Sequence, residues 1–301
     1  MRRRTRTPGR WSAKRRTAER RTAERRTVNR ATRIGRAAGA GLLVLLAATS
    51  GCAGGGPEPT PDAPGAWHLV FKEEFHGSTL DPARWTTCYD WNNSGCTNSG
   101  NHESEWYLPG QVSVGGGAVT LHAQRAGTPG SDGHAYPWAS GMISTGRDSW
   151  DGAPRFTFTH GYVAAAVRIP PEQGMYPAFW LMPVTRVAPP EIDIAEFLGT
   201  SQNVQQTVHW AGPNGADQSA AGHYGPLDFP AGYHVFALDW EADSLTWFVD
   251  GQARFWMTDP SKIPDVAMEI LLNLAVGVPN QPSTAVDSAQ MQVSWVRVWQ
   301  H

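Results

Sequence analysis

The chain has 301 residues, and its formal charge of −2 (25 Lys and Arg against 27 Asp and Glu) conceals two opposed segments. Residues 1–51 hold fifteen basic residues and two acids, a net of +13, while residues 52–301 hold ten basic and twenty-five acidic residues, a net of −15. A body of that sign repels a phosphate backbone and so excludes a nucleic-acid role, and 41% hydrophobic residues with 14 Trp exclude an unfolded tail.

The first element in chain order is a leader. Arg-rich sequence to Arg36 precedes the apolar run Ala37 to Ser50, which has the length of a secretory signal core and is short for a bilayer span. Its end, Thr49-Ser50-Gly51-Cys52, resembles a bacterial lipobox in which Cys52 is lipidated, although Thr49 stands where Leu is usual; an ordinary cleaved signal is the other reading. The basic stretch contains Arg-Arg-Thr-Ala-Glu twice, at 15–19 and 20–24, and a start at Val28 would give a leader of ordinary size. Residues 1–51 are therefore expected to be a signal peptide. Residues 52–66 follow as a Gly/Pro-rich linker that could hold a domain roughly 40 Å from an anchor. Export also accounts for the cysteines: with Cys52 assigned to lipid, Cys88 and Cys96 remain as an even pair, expected to form a disulfide across a Gly/Asn/Ser-rich loop. No Cys/His cluster has zinc-ligand spacing.

Residues 67–301 read as one domain of antiparallel β-structure. Short apolar or alternating runs recur between turn residues: Trp67 to Phe71, Val112 to Val114, Ala118 to Ala123, Tyr162 to Ile169, Val204 to Trp210, Tyr233 to Trp240, Leu245 to Val249, Ala253 to Met257, Met268 to Val276 and Met291 to Trp299. Many short strands without a long 3.6-residue period predict a sandwich or barrel. Asp250-Gly251 lies between two apolar runs and predicts a hairpin with a type I′ turn.

The segment Glu191-Ile192-Asp193-Ile194-Ala195-Glu196 carries the chemistry. In an extended strand Glu191 and Asp193 share one face, and Ile192 and Ile194 the other. Glu196 falls on the wrong face unless a β-bulge inserts one residue, which would put three carboxyls on one surface. Carboxyls crowded in this way raise one another's proton affinity, separating an acid from a base or nucleophile, and glycosidic cleavage needs that pair of roles. A solvated acidic edge strand or a cation site is the plainer alternative.

The same hexapeptide resembles the catalytic signature of family 16 glycoside hydrolases in its bulged form. The likeness extends in order through FKEEFHGSTLDPARW (71–85), NHESEWY (101–107), SGMIST (140–145), MYPAFWLMP (175–183), EIDIAEFLG (191–199), TVHW (207–210), VFALDWEADSLTWFVDG (235–251) and ILLNLAVG (270–277). It implies an all-β, concanavalin A-like jelly-roll sandwich of two antiparallel curved sheets with an open cleft. It also implies a retaining mechanism, with Glu191 as nucleophile, Glu196 as general acid/base and Asp193 between them. Trp180 is the candidate sugar platform, Asn101 and Glu103 match a substrate-contacting loop, and His209 suits a hydroxyl-binding or relay role. Trp106, Trp210 and Trp240 are further candidate sugar contacts. Core or turn-stabilising roles compete for Trp180, His209 and Asn101.

Departures from the family pattern are Tyr176 for a Trp, Val278 for a Gly, and Ala164 and Ala166 for a charged pair. No cofactor is expected, and Ser294, standing where many relatives carry an Asp associated with structural calcium, weighs against that ion. Ten basic residues against twenty-five acids disfavour a sulfated chain. The reading is a monomeric, secreted or lipid-anchored endo-β-glucanase whose partner is a neutral polysaccharide, with membrane contact only through the lipid. A β-1,3-glucan comes first; mixed-linkage glucan, an exopolysaccharide or transglycosylation come next. A non-catalytic carbohydrate-binding jelly-roll is the competing class.

Overall fold

Sixteen strands and five one-turn 3-10 helices make up the regular structure of residues 67–89 and 95–301, which are the residues described by the computed structural model. In chain order the strands are β1 (His68–Glu73), β2 (Glu105–Tyr107), β3 (Val112–Gly115), β4 (Ala118–Pro129), β5 (Ala135–Ser140), β6 (Met142–Ser144), β7 (Gly161–Arg168) and β8 (Met175–Pro183). Then follow β9 (Glu191–Glu196), β10 (Val204–Ala211), β11 (Asp217–Tyr224), β12 (His234–Trp240), β13 (Leu245–Val249), β14 (Gln252–Met257), β15 (Met268–Val276) and β16 (Ser288–Gln300). The leader, the linker and Cys52 lie outside the described residues.

Two sheets stack on one core. The larger runs β14-β13-β12-β7-β16-β4-β5-β2, with β1 paired to β16 and β3 to β4; the smaller runs β11-β10-β9-β8-β15-β6. Pairing is antiparallel except between β2 and β5. Side-chain alternation sends Val163, Ala165 and Val167 of β7 and Ile270, Leu272 and Leu274 of β15 into the space between the sheets, where they pack with Trp240 and Trp247. Each apolar run found in the sequence contributes to a strand, and Asp250 and Gly251 take φ of 51° and 73° at the predicted hairpin turn. Strand β11 escapes that pattern because DQSAAGHY is an edge strand with little apolar area, and β5 because Pro137 interrupts it.

The outer face of β7 resolves one departure. Ala164 and Ala166 lie with Tyr162, Ala237 and Trp295 on the face turned away from the core, in the sheet that does not carry the three acids. Their smallness therefore touches no cleft contact.

Strand β9 carries the predicted irregularity. Against β8, Ala195 pairs with Phe179 but Asp193 with Trp180; against β10, Glu196 pairs with Gln205 but Asp193 with Thr207. The extra residue turns both Ile194 and Ala195 into the core and brings Glu196 back to the face of Glu191 and Asp193. Backbone carbonyls at the bulge find side-chain donors: Trp247 Nε1 of the opposite sheet donates to the Asp193 carbonyl at 2.9 Å, and Gln206 Nε2 to that of Ile194 at 3.3 Å. A buried carbonyl without such a donor is costly. Trp247→Phe is therefore expected to lower stability by about 2–4 kcal/mol, through the lost donor and the cavity, as read from the midpoint of urea unfolding.

Candidate active site

The six-stranded sheet presents a concave floor to the cleft. Tyr176, Ala178 and Trp180 of β8, the three acids of β9 and Asn273 of β15 form the floor, and Tyr89, Asn98, Asn101 and Glu103 wall one side. Cys88 and Cys96 are disulfide-bonded with their Cα atoms 4.9 Å apart, as the cysteine count predicts. The bond fixes this wall, since Tyr89 follows Cys88 and the Cys96 carbonyl accepts the Tyr107 N–H at 2.7 Å.

The acids are crowded and dry. Asp193 and Glu196 are buried, and Glu191 is partly exposed at the start of its strand. Burial, and then the Asp193 charge, pushes Glu191 well above the usual carboxyl range, and burial with the Glu196 charge does the same to Asp193. The Glu191 carboxyl hydrogen-bonds Asp193, as expected for a residue set between the two glutamates. Glu196 is also raised by burial, but donors oppose the rise: the Tyr176 hydroxyl, Thr207 Oγ1 at 3.3 Å and Gln205 Nε2 at 3.5 Å.

His209 is no core histidine. Its Nε2 lies 3.4 Å from Asp193 Oδ2, while Nδ1 lies 3.2 Å from both carboxylate oxygens of Asp217 on β11. The strand register explains the contact: His209 faces Ser219, and Asp217 sits two residues along on the same side. Donor atoms of Glu191, Asp193 and His209 all lie within 4.8 Å of one another, so a cation held there would occupy the same carboxylates.

Trp180 lines the cleft, but it is buried and its indole N–H is taken by Asn273 Oδ1 at 2.8 Å. The donor is thereby committed within the protein, and only ring surface remains. The network continues from Asn273 Nδ2 to the Tyr107 hydroxyl (3.1 Å), from that hydroxyl to Glu103 Oε2 (3.4 Å), and from Asn101 Nδ2 to Glu103 Oε1 (3.2 Å). Glu105 accepts the Val276 N–H at 2.8 Å, and burial, then the Glu103 charge, raises its proton affinity strongly. Trp240 and Trp210 pack into the core, and Trp106 packs against Tyr136, so none of these three lines the cleft.

Tyr176, Gln205, Asn273, Glu105 and Asp217 were missed as site residues. Gln205 follows from alternation with Thr207 and His209, and Asn273 stands out as the lone polar residue of ILLNLAV. Asp217 has no local signal, because its role arises from strand pairing.

Fold and site together define a jelly-roll that presents three crowded carboxyls to an aromatic-walled cleft. The family model for glycosyl hydrolases family 16 matches residues 102–297. The chain is 29% identical to glucan endo-1,3-beta-glucosidase A1 of Niallia circulans (80% of this chain, 39% of that protein). It is 31% identical to endo-1,3-1,4-beta-glycanase EglC of Rhizobium meliloti (76% and 51%), so it spans about half or less of these two relatives. The laminarinase catalytic domain of Thermotoga maritima superposes with a TM-score of 0.66 at 26% identity, covering 78% of this chain and 98% of that one. The chain belongs to glycosyl hydrolases family 16.

The buried Glu105 has a consequence for stability. An acid whose folded pKa is raised takes up a proton on folding, so its contribution is lost as pH climbs from the unfolded value through the folded one. Glu105→Gln, which keeps an acceptor for Val276, is expected to melt with a smaller loss between pH 5 and pH 8 than the parent protein. Equal losses in the two proteins would show that Glu105 does not hold the extra proton.

Proposed function

We propose that the protein is a retaining endo-β-glucanase acting on internal bonds of a neutral polysaccharide, β-1,3-glucan first. The observation that carries this reading is the bulged strand β9, which directs Glu191, Asp193 and Glu196 into one cleft. In the first step protonated Glu196 gives its proton to the glycosidic oxygen while the Glu191 carboxylate attacks the anomeric carbon. The bond to the leaving sugar breaks and a glycosyl ester on Glu191 forms. In the second step the Glu196 carboxylate takes a proton from water, the water oxygen attacks the same carbon, and Glu191 leaves as carboxylate. Asp193, hydrogen-bonded to Glu191 and 3.4 Å from His209 Nε2, holds the nucleophile in place and adjusts its charge.

A neutral substrate is favoured by the twenty-five acids against ten basic residues of 52–301, because a sulfated chain would need basic subsites. The two relatives, an endo-1,3-beta-glucosidase and an endo-1,3-1,4-beta-glycanase, support β-glucan and keep mixed-linkage glucan as the second reading. The ring of Trp180 in the cleft floor suits the apolar C–H faces of a β-linked sugar, with Asn101 and Glu103 at its hydroxyls. Secretion, or anchoring through lipidated Cys52, completes the reading, with the enzyme acting as a monomer.

Reducing-sugar release is expected from laminarin above barley β-glucan, with none from agarose or carrageenan. Glu191→Gln and Glu196→Gln are each expected to lower the rate by about 10²- to 10⁴-fold. Full activity in either variant refutes its role, and an inactive parent protein on all four polymers favours a carbohydrate-binding module. Lipidation is tested separately: Cys52→Ala should move the protein from the membrane fraction to the medium, and an unchanged distribution rejects the anchor.

A further inference from the structure

We propose that Tyr176 is a positioning residue for Glu196, its phenol donating to the Glu196 carboxyl and setting how readily that group keeps its proton. The inference rests on the reading of Glu196 as general acid/base. Strand register makes the contact. Glu196 pairs with Ala178 of β8, and Tyr176, two residues along on the same face, lies on the diagonal within reach of a long aromatic side chain. Its ring is buried in the cleft floor with Ala178 and Trp180, so the hydroxyl has little freedom to leave. The phenol donates to Oε1 of Glu196, while Thr207 and Gln205 approach Oε2 from the other side. Two neighbouring strands thus clamp the carboxyl.

The phenol is a committed donor. Burial, followed by the Glu196 and Asp193 charges, holds its own proton far above the ordinary phenol range, so it does not ionise at working pH. Other groups facing Glu196 act in both directions. Asp193 and Glu191 on β9 favour the protonated acid; His209, Thr207 and Gln205 on β10 favour the carboxylate; Glu103 across the cleft acts on the phenol itself. Among them Tyr176 is the donor that β8 supplies, at the position where the resembling segment often carries a Trp and hence no hydroxyl. The contact serves both half-reactions. It stabilises the carboxylate left when Glu196 has given up its proton, and it holds the same carboxylate ready as the base toward water. Its cost falls on the first step, where a stabilised carboxylate narrows the pH range over which Glu196 is still an acid.

The test is Tyr176→Phe, which removes one oxygen and leaves the ring. With side-chain ¹³C-labelled Glu, the Glu196 resonance, assigned by its loss in Glu196→Gln, is titrated in the parent protein and the variant without substrate. The expected result is an upward shift of about one pH unit in the variant, the scale of a lost hydrogen bond to a charged group. The alkaline limb of kcat/KM on laminarin should move up by the same amount. An unmoved or lowered Glu196 titration in a variant of unchanged melting temperature overturns the inference. A variant that fails to fold is replaced by Tyr176→Leu, which has no side-chain donor and is held to the same criterion. Because the titration needs no substrate, it decides the inference even if the parent protein cleaves none of the polymers. A moved titration with an unmoved limb supports the contact and counts against Glu196 as the acid.

Discussion

The bulge in β9 is the constraint on which the site depends. A regular strand would bury Glu196 among the apolar side chains and leave two acids in the cleft. One extra residue returns the third, but it breaks the ladder on both flanks and leaves carbonyls that need donors inside the protein. Trp247 reaches across from the other sheet to answer one, and Gln206 answers another. The core is therefore more than a filler beneath the cleft, because a buried indole from the opposite layer helps hold the irregular backbone that makes the acid cluster.

Electrostatics sets the second condition. Burying three carboxyls together is unfavourable, and left to themselves they would hold their protons. His209, Tyr176, Thr207 and Gln205 counter this by favouring negative charge, and they do so unevenly: the donors converge on Glu196, whereas His209 is the group that favours charge on Glu191. Glu196 is accordingly raised less than Glu191 and Asp193, although burial still holds its proton affinity above that of an ordinary carboxyl.

Much of this was legible in the sequence. The strand runs, the Asp-Gly hairpin, the cysteine pair and the need for a bulge all follow from period-two alternation and local turn chemistry, which are short-range properties. What escaped was set by pairing between distant strands. Asp217 meets His209 only because β11 pairs with β10 in one register, and Tyr176 meets Glu196 only across a β8–β9 diagonal. Trp180 illustrates the same limit: its place in the cleft could be read from the motif, but not that Asn273, nearly a hundred residues later, takes its N–H. The Trp residues of β10 and β12 looked equally suited to sugar, and only the face each presents sends them to the core.

The position of β16 within the larger sheet bears on how the chain reaches this state. Latest of the sixteen strands in sequence, it is paired with β7 on one side and with β4 and then β1 on the other. It therefore stitches the earliest strand of the domain to the middle of the sheet. Until its residues have emerged, the earlier strands of that sheet have no central member on which to close. Contacts of such long sequence separation slow folding, because the intervening chain must be ordered before they form. The same arrangement makes β16 a latch, since loosening its far end frees β1 and uncovers the sheet from its middle rather than from an edge.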